Sequence, residues 1–164
     1  MSANKGLFSK YPNPVFIETG SFEGDGIQQA LDEGFKTVYS IEINTWWFFH
    51  CIDRFKDNPG VRIIQGDSAI MLERLLKIIN KPVTFWLDGH VGADSTPLLK
   101  ELEIIKNHTI KTHTILIDDL RDWNIKHHTF DTEILKTKLL EINPNYTFIL
   151  EDGYAPKDIL VARI

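Results

Sequence analysis

Residues 146–164, YTFILEDGYAPKDILVARI, decide the fold. They read as two strands, 146–152 and 158–164, joined by the short loop from Gly153 to Lys157. A loop of that length joins antiparallel neighbours only, because a parallel return needs a crossover of a dozen or more residues. Upstream the pattern is different. Strand-like runs near 15–20, 37–43, 61–67, 83–89 and 113–119 alternate with helical patterns near 23–33, 45–57, 69–79, 95–107 and 131–142. Such alternation makes a parallel, doubly wound sheet with right-handed crossovers. The runs are rich in Val, Ile, Phe, Thr and Tyr and almost continuously apolar, as strands covered on both faces are.

The expected architecture is therefore α/β: a Rossmann-like doubly wound sheet, mostly parallel, of seven strands with an antiparallel C-terminal hairpin strand. Residues 1–164 read as one domain and 1–14 as a lead-in, where Pro12 and Pro14 exclude helix and strand pairing. Asn44 or Thr45 can cap the second helix, Ser68 the third and Ser95 the fourth. Pro97 suits a first helical turn. Gly34 and Gly60 close the first two helices.

Six of the strand-like runs end in carboxylates: VFIE at Glu18, TVYSIE at Glu42, VRIIQGD at Asp67, VTFWLD at Asp88, HTILIDD at Asp118 and Asp119, and YTFILED at Glu151 and Asp152. In open α/β sheets ligands bind outside the carboxyl ends of the strands. One edge of the sheet is thus expected to carry a row of acids. The first strand also runs into a glycine-rich turn, ETGSFEGDG, at residues 18–26. Together these features point to a nucleoside-type cofactor site beside a metal or base site. Glu42, at the tip of the second strand, is placed to accept hydrogen bonds from both ribose hydroxyls.

Composition narrows the classes. Net charge is −5 and the lysines are scattered, so the basic patch of a general nucleic-acid binder is missing. A single cysteine, Cys51, forms no intrachain disulfide and suits a reducing compartment. No run approaches the roughly 20 apolar residues of a membrane span, and the N-terminal stretch lacks a signal-peptide core. The expectation is a cytoplasmic protein without nucleic-acid or membrane partners.

The order and spacing of Glu18-Thr-Gly20-Ser21-Phe-Glu-Gly24-Asp-Gly26, Glu42, Gly66-Asp67-Ser68 and Asp88-Gly89-His90, followed by the terminal hairpin, resemble the class I S-adenosylmethionine (SAM)-dependent methyltransferases over about residues 14–164. Asp118-Asp119 after strand five looks like the small-molecule O-methyltransferases related to macrolide and sugar methylation. The resemblance implies SAM as cofactor. Gly20, Ser21, Gly24 and Gly26 would surround its methionine half, with Glu18 near the amine, Glu42 on the ribose and Asp67 and Ser68 at the adenine edge. Ser68 reads equally well as a helix cap only.

The resemblance further implies Asp88 and His90 as catalytic residues, with Asp88 also at the cofactor and His90 as general base. Asp88, Asp118 and Asp119 are hard oxygen ligands suited to Mg²⁺ or Mn²⁺. Against this, adjacent Asp118 and Asp119 point to opposite faces if the strand continues. His127 and His128 are alternative bases. Trp123 and, more weakly, Tyr154 are candidates for stacking on a sugar ring. Trp46, Trp47, Phe48 and Phe49 are expected mainly to pack, with a border on the adenine as the alternative.

Two departures stand out: no Pro-Gly-Gly turn precedes strand five, where KNHTIKTHT stands, and no Asn-Pro-Pro-Tyr-type motif follows strand four. The second argues against methylation of nucleobase amines. The expected activity is O-methylation of a small-molecule or carbohydrate acceptor, with pairing into a homodimer left open. An NAD(P)-dependent oxidoreductase and a non-catalytic SAM-binding module are the alternatives.

Overall fold

A computed structural model describes residues 3–89, 96–121 and 131–164. These form the strands β1 (Val15–Thr19), β2 (Val38–Glu42), β3 (Val61–Gln65), β4 (Val83–Leu87), β5 (Thr114–Ile117), β6 (Thr147–Glu151) and β7 (Ile159–Arg163). The helices are α1 (Asp25–Asp32), α2 (Thr45–Arg54), α3 (Ser68–Leu76), α4 (Leu98–Asn107) and α5 (Thr132–Ile142). The strands make one sheet in the order β3-β2-β1-β4-β5-β7-β6. Pairings from β3 through β5 are parallel, and β7 lies antiparallel to both β5 and β6. The terminal hairpin thus inserts its last strand beside β5, and its short loop sets β7 antiparallel to β6. The winding reverses between β1 and β4, which opens a crevice there.

Successive residues of a strand face opposite sides, and the core splits accordingly. Ile17, Phe85 and Ile115 meet Leu72 of α3, Leu102 of α4 and Leu135 of α5 on one side. Phe16, Trp86 and Leu116 meet Ile27 of α1 and Cys51 of α2 on the other. The second face is completed by the N-terminal segment, expected only as a lead-in. Residues 8–10 form a 3-10 turn, and fully buried Phe8 packs tilted against Phe16 and edge-on to Trp86, with ring centroids 4.8 and 5.2 Å away. The prolines fall after this turn and leave it intact. Edge strand β3 departs from the both-faces-covered expectation: Val61, Ile63 and Ile64 are only half-buried.

Helix starts explain the local geometry. Asn44 caps α2, its side chain accepting from the N–H groups of Trp46 and Trp47 at 2.9 and 3.3 Å. The cap of α3 is Asp67, which accepts from Ala69 N–H at 2.9 Å, and not Ser68. Asp67 holds the extended backbone a cap needs, whereas Ser68 is already the first helical residue. Ser95 lies outside the described residues; Thr96 accepts from Leu98 N–H at the start of α4. The aromatic run departs from the packing expectation, with Trp46 73% and Phe49 61% exposed.

Candidate active site

The crevice at the β1–β4 reversal is a cleft of about 860 Å³. Its walls come from the strand ends: Gly20, Glu42, Asp67, Ser68, Asp88 and Gly89, with Phe22 and Trp47 at one side and Thr96, Pro97 and Lys100 of the α4 start at another. Gly20 has φ +84°, and a Cβ there would stand 2.7 Å from the backbone oxygen of Asp88. Only glycine allows both that backbone angle and that approach, so β1 and β4 close to form the cleft floor.

Glu42 is buried, with its carboxylate accepting from Asn44 N–H at 2.7 Å and from Phe22 N–H at 2.9 Å. Each carboxylate oxygen takes one of these bonds and retains a lone pair toward the cleft. The clamp fixes the acid at the tip of β2, on the cleft wall. Phe22, which the sequence reading passed over, holds φ +46° and lays its ring 4.4 Å from Trp47 on the cleft wall.

The rest of the glycine-rich turn works behind the wall. Glu18 is 2% exposed and absent from the lining; it accepts from Ser40 Oγ at 2.6 Å, and Ser40 Oγ in turn lies 2.6 Å from Ser21 Oγ. A Cβ at Gly26 would come within 1.9 Å of Glu18 Oε1. Gly24 faces the Phe55 ring and Cys51 Sγ. Of the glycines expected around the cofactor, Gly20 lines the cleft, while Gly24 and Gly26 let α1 settle against α2 and over Glu18. Burial pushes the Glu18 carboxyl up to about 8, with Ser40 acting in the opposite sense.

At the ends of β4 and β5, one oxygen each of Asp88, Asp118 and Asp119 lies within 4.8 Å of the others. β5 ends at Ile117, and Asp119 takes a left-handed φ of +58°. That turn removes the strand alternation that would have separated Asp118 from Asp119. Burial and then the neighbouring Asp119 push the Asp118 carboxyl up to about 7. Asp119 also pairs with Arg121 at 2.5 Å, and Arg121 is anchored on the buried carboxylate of Asp158. The two acids that end the β6 run do not join: Glu151 binds Lys10 at 2.7 Å and the Tyr11 hydroxyl at 2.6 Å, and Asp152 accepts from Lys157 N–H at 2.8 Å.

A second cavity of about 510 Å³ lies beyond these acids, lined by Ala3, Asn4, Asp118, Arg121, Gly153 and Tyr154 together with Asp88 and Asp119. Asp88 and Asp119 also line the first cleft, so the two cavities meet at this pair. The Tyr154 ring is 71% exposed, with the Arg121 guanidinium 4.9 Å from its centroid. Asn4 reaches the same loop by donating to Asp152 O at 2.9 Å. Asn4 and Arg121 carried no signal in the sequence, because only the fold brings the N-terminal segment and the β5 turn together. His90, Trp123, His127 and His128 lie outside the described residues.

No family model and no curated protein matches the sequence. Solved structures do. A methyltransferase from Podospora anserina with bound SAH, the demethylated cofactor, superposes with TM-score 0.65 at 12% identity, covering 92% of this chain and 71% of that one. A protein from Staphylococcus aureus assigned as a caffeoyl-CoA O-methyltransferase gives 0.63 at 14% identity, over 97% of this chain and 79% of that one. The N-methyltransferase NodS from Bradyrhizobium japonicum gives 0.61 at 14%, over 95% and 87%. With the strand order and the terminal hairpin, these likenesses establish that the chain has the fold of the class I SAM-dependent methyltransferases.

Proposed function

We propose that the chain is a SAM-dependent O-methyltransferase acting on a hydroxyl of a sugar, glycan or other small molecule. One observation carries the reading: the cleft that fits a nucleoside cofactor and the second cavity meet at Asp88 and Asp119. A methyl donor in the first and an acceptor in the second would face each other there, which is the arrangement in-line displacement from a sulfonium needs. In this reading Glu42 holds the ribose and Asp67 and Ser68 the adenine edge. Gly20 and the turn after it meet the methionine half, and Glu18 supports that turn from beneath.

Asp88, Asp118 and Asp119 fit a hard divalent ion such as Mg²⁺ or Mn²⁺, since all three offer carboxylate oxygens close together. When bound, such an ion would lower the pKa of an acceptor hydroxyl and orient it. The carboxylates themselves favour a neutral or cationic acceptor over an anionic one. His90 is proposed as the base that takes the hydroxyl proton. Tyr154 offers a flat apolar face to a sugar ring, held in place by Arg121.

Calorimetric titration with SAM and SAH, with and without Mg²⁺, tests the reading. Micromolar binding of either is expected, followed by methyl transfer in a screen of hydroxylated acceptors beginning with sugars. Absence of binding under every condition removes the reading. Binding with transfer only to amine acceptors would replace O- by N-methylation.

A further inference from the structure

Ser40 stands in the middle of β2, fully buried, on the strand face it shares with Val38 and Glu42. Across the sheet it is in register with Glu18 of β1 and Ile63 of β3, and the same face carries the apolar cluster of Phe16, Ile27 and Val38. An apolar β-branched residue suits such a place, and a hydroxyl buried there costs free energy unless it is hydrogen-bonded. Ser40 is bonded twice. Its Oγ donates to Glu18 Oε2 at 2.6 Å, which uses its only proton. The oxygen is left to accept, so the 2.6 Å contact with Ser21 Oγ is a bond that Ser21 donates.

This chain of side chains runs behind the cleft and ends in its wall. Ser21, expected at the cofactor, is 3% exposed and absent from the lining, whereas Gly20 and Phe22 on either side of it line the cleft. The turn after β1 is tied to β2 at three successive residues. Gly20 N–H donates to Ile41 O at 2.9 Å, Ser21 Oγ to Ser40 Oγ, and Phe22 N–H to Glu42 Oε2 at 2.9 Å. Gly24 N–H then closes the turn on Ser21 O at 2.7 Å. On the turn's side, the first and third ties use backbone donors that any residue but proline supplies. The middle one needs a hydroxyl at both 21 and 40. Next to it, Phe22 holds a left-handed φ of +46°, which a residue with a Cβ keeps only where its surroundings impose it. The inward bond of Ser21 is one such constraint, and the N–H it helps to aim is the one that clamps Glu42.

We propose that Ser40 is a positioning residue for the cofactor cleft: anchored on Glu18, its hydroxyl seats Ser21 and so aligns the Phe22 N–H that holds Glu42. The inference rests on the reading of that cleft as the cofactor site. Ser21 then acts through Ser40 and does not touch the cofactor.

The test is SAH affinity of the full chain, measured by calorimetry, with thermal unfolding followed in parallel. The variants are Ser40→Ala, Ser21→Ala and the two combined, each removing a hydroxyl with little change in volume. Each single variant is expected to weaken SAH about fivefold, the size of one lost hydrogen bond. The double variant should lose no more than either single one, because both break the same bond. A Ser40→Ala protein that unfolds at a lower temperature but binds SAH like the wild type has lost only stability, and overturns the proposal. Loss in Ser21→Ala alone, or losses that multiply in the double variant, also overturn it and place Ser21 on the cofactor itself. Should Ser40→Ala fail to fold, Ser21→Ala combined with Glu42→Gln decides: a loss smaller than the product of the single ones is expected, and the full product overturns the link to Glu42. A wild type that binds no SAH overturns the cofactor reading itself.

Discussion

A buried pair of histidines at the end of the sheet opposite the cleft makes acid stability calculable. His113 and His108 are 1% and 8% exposed. Val83 N–H, at the start of β4, donates to His113 Nδ1 at 3.1 Å, so that nitrogen carries no proton. The His113 proton must then sit on Nε2, which lies 2.9 Å from His108 Nδ1. His108 accepts there and donates from Nε2 to Ile79 O at 3.0 Å. Every ring nitrogen has one role, and adding a proton to either ring breaks the chain. Burial, helped by His108, pushes His113 from 6.5 down to about 4.

At about 1.4 kcal/mol for each pH unit, that depression is worth about 3 kcal/mol. The unfolded chain binds the proton below pH 6.5 and the folded one only near 4. The stabilisation is therefore complete above pH 6.5 and lost as the pH falls to about 4. Buried carboxyls act in the opposite direction: Glu18, Glu101 and Asp118, all pushed upward, favour the folded state as pH falls. The contribution of His113 must be isolated as the difference in urea unfolding free energy between the wild type and His113→Leu. That difference is expected to be largest at pH 7, where the variant strands the buried Val83 N–H, and to shrink by about 3 kcal/mol by pH 4. A difference that stays constant from pH 7 to pH 4 would refute the proton assignment.

Other perturbations bear on the site. Gly20→Ala forces φ +84° on a residue with a Cβ, a strain of about 1–2 kcal/mol, and drives that atom against Asp88 O; SAH affinity measured by calorimetry should fall more than about tenfold. Glu42→Gln puts an NH2 donor against one of the two N–H groups, of Phe22 and Asn44, that the carboxylate accepts from, and is expected to weaken SAH about tenfold and to lower stability by about 1–3 kcal/mol, read by calorimetry and thermal unfolding. Glu18→Gln should gain on the wild type as the pH rises from about 4.5 to about 8, where the unfolded wild type ionises and the folded one keeps its proton, and the gain should level off above pH 8; urea unfolding across that range checks it. Asp118→Asn should abolish Mn²⁺ binding detected by electron paramagnetic resonance; a wild type that binds no Mn²⁺ would end the metal reading.

The sequence by itself determined the sheet. Period and length distinguished strands from helices, and the short Gly153–Lys157 loop left β7 no choice but an antiparallel place. It also named Glu42, Asp67, Asp88, Asp118 and Asp119, because residues that end parallel strands must gather at one edge. Tertiary structure decided which of those acids lie together. Glu18 and Glu42 both end VFIE- and SIE-like runs, yet Glu18 is roofed by Gly26 and Glu42 opens into the cleft. Asp118 and Asp119 converge through a left-handed turn that no residue type announces. The lead-in became a cavity wall because Phe8 found Phe16 and Trp86, partners distant in sequence. Periodicity records which face of an element a side chain occupies, whereas a site depends on what the other elements bring to that face, and that is set only when the chain packs.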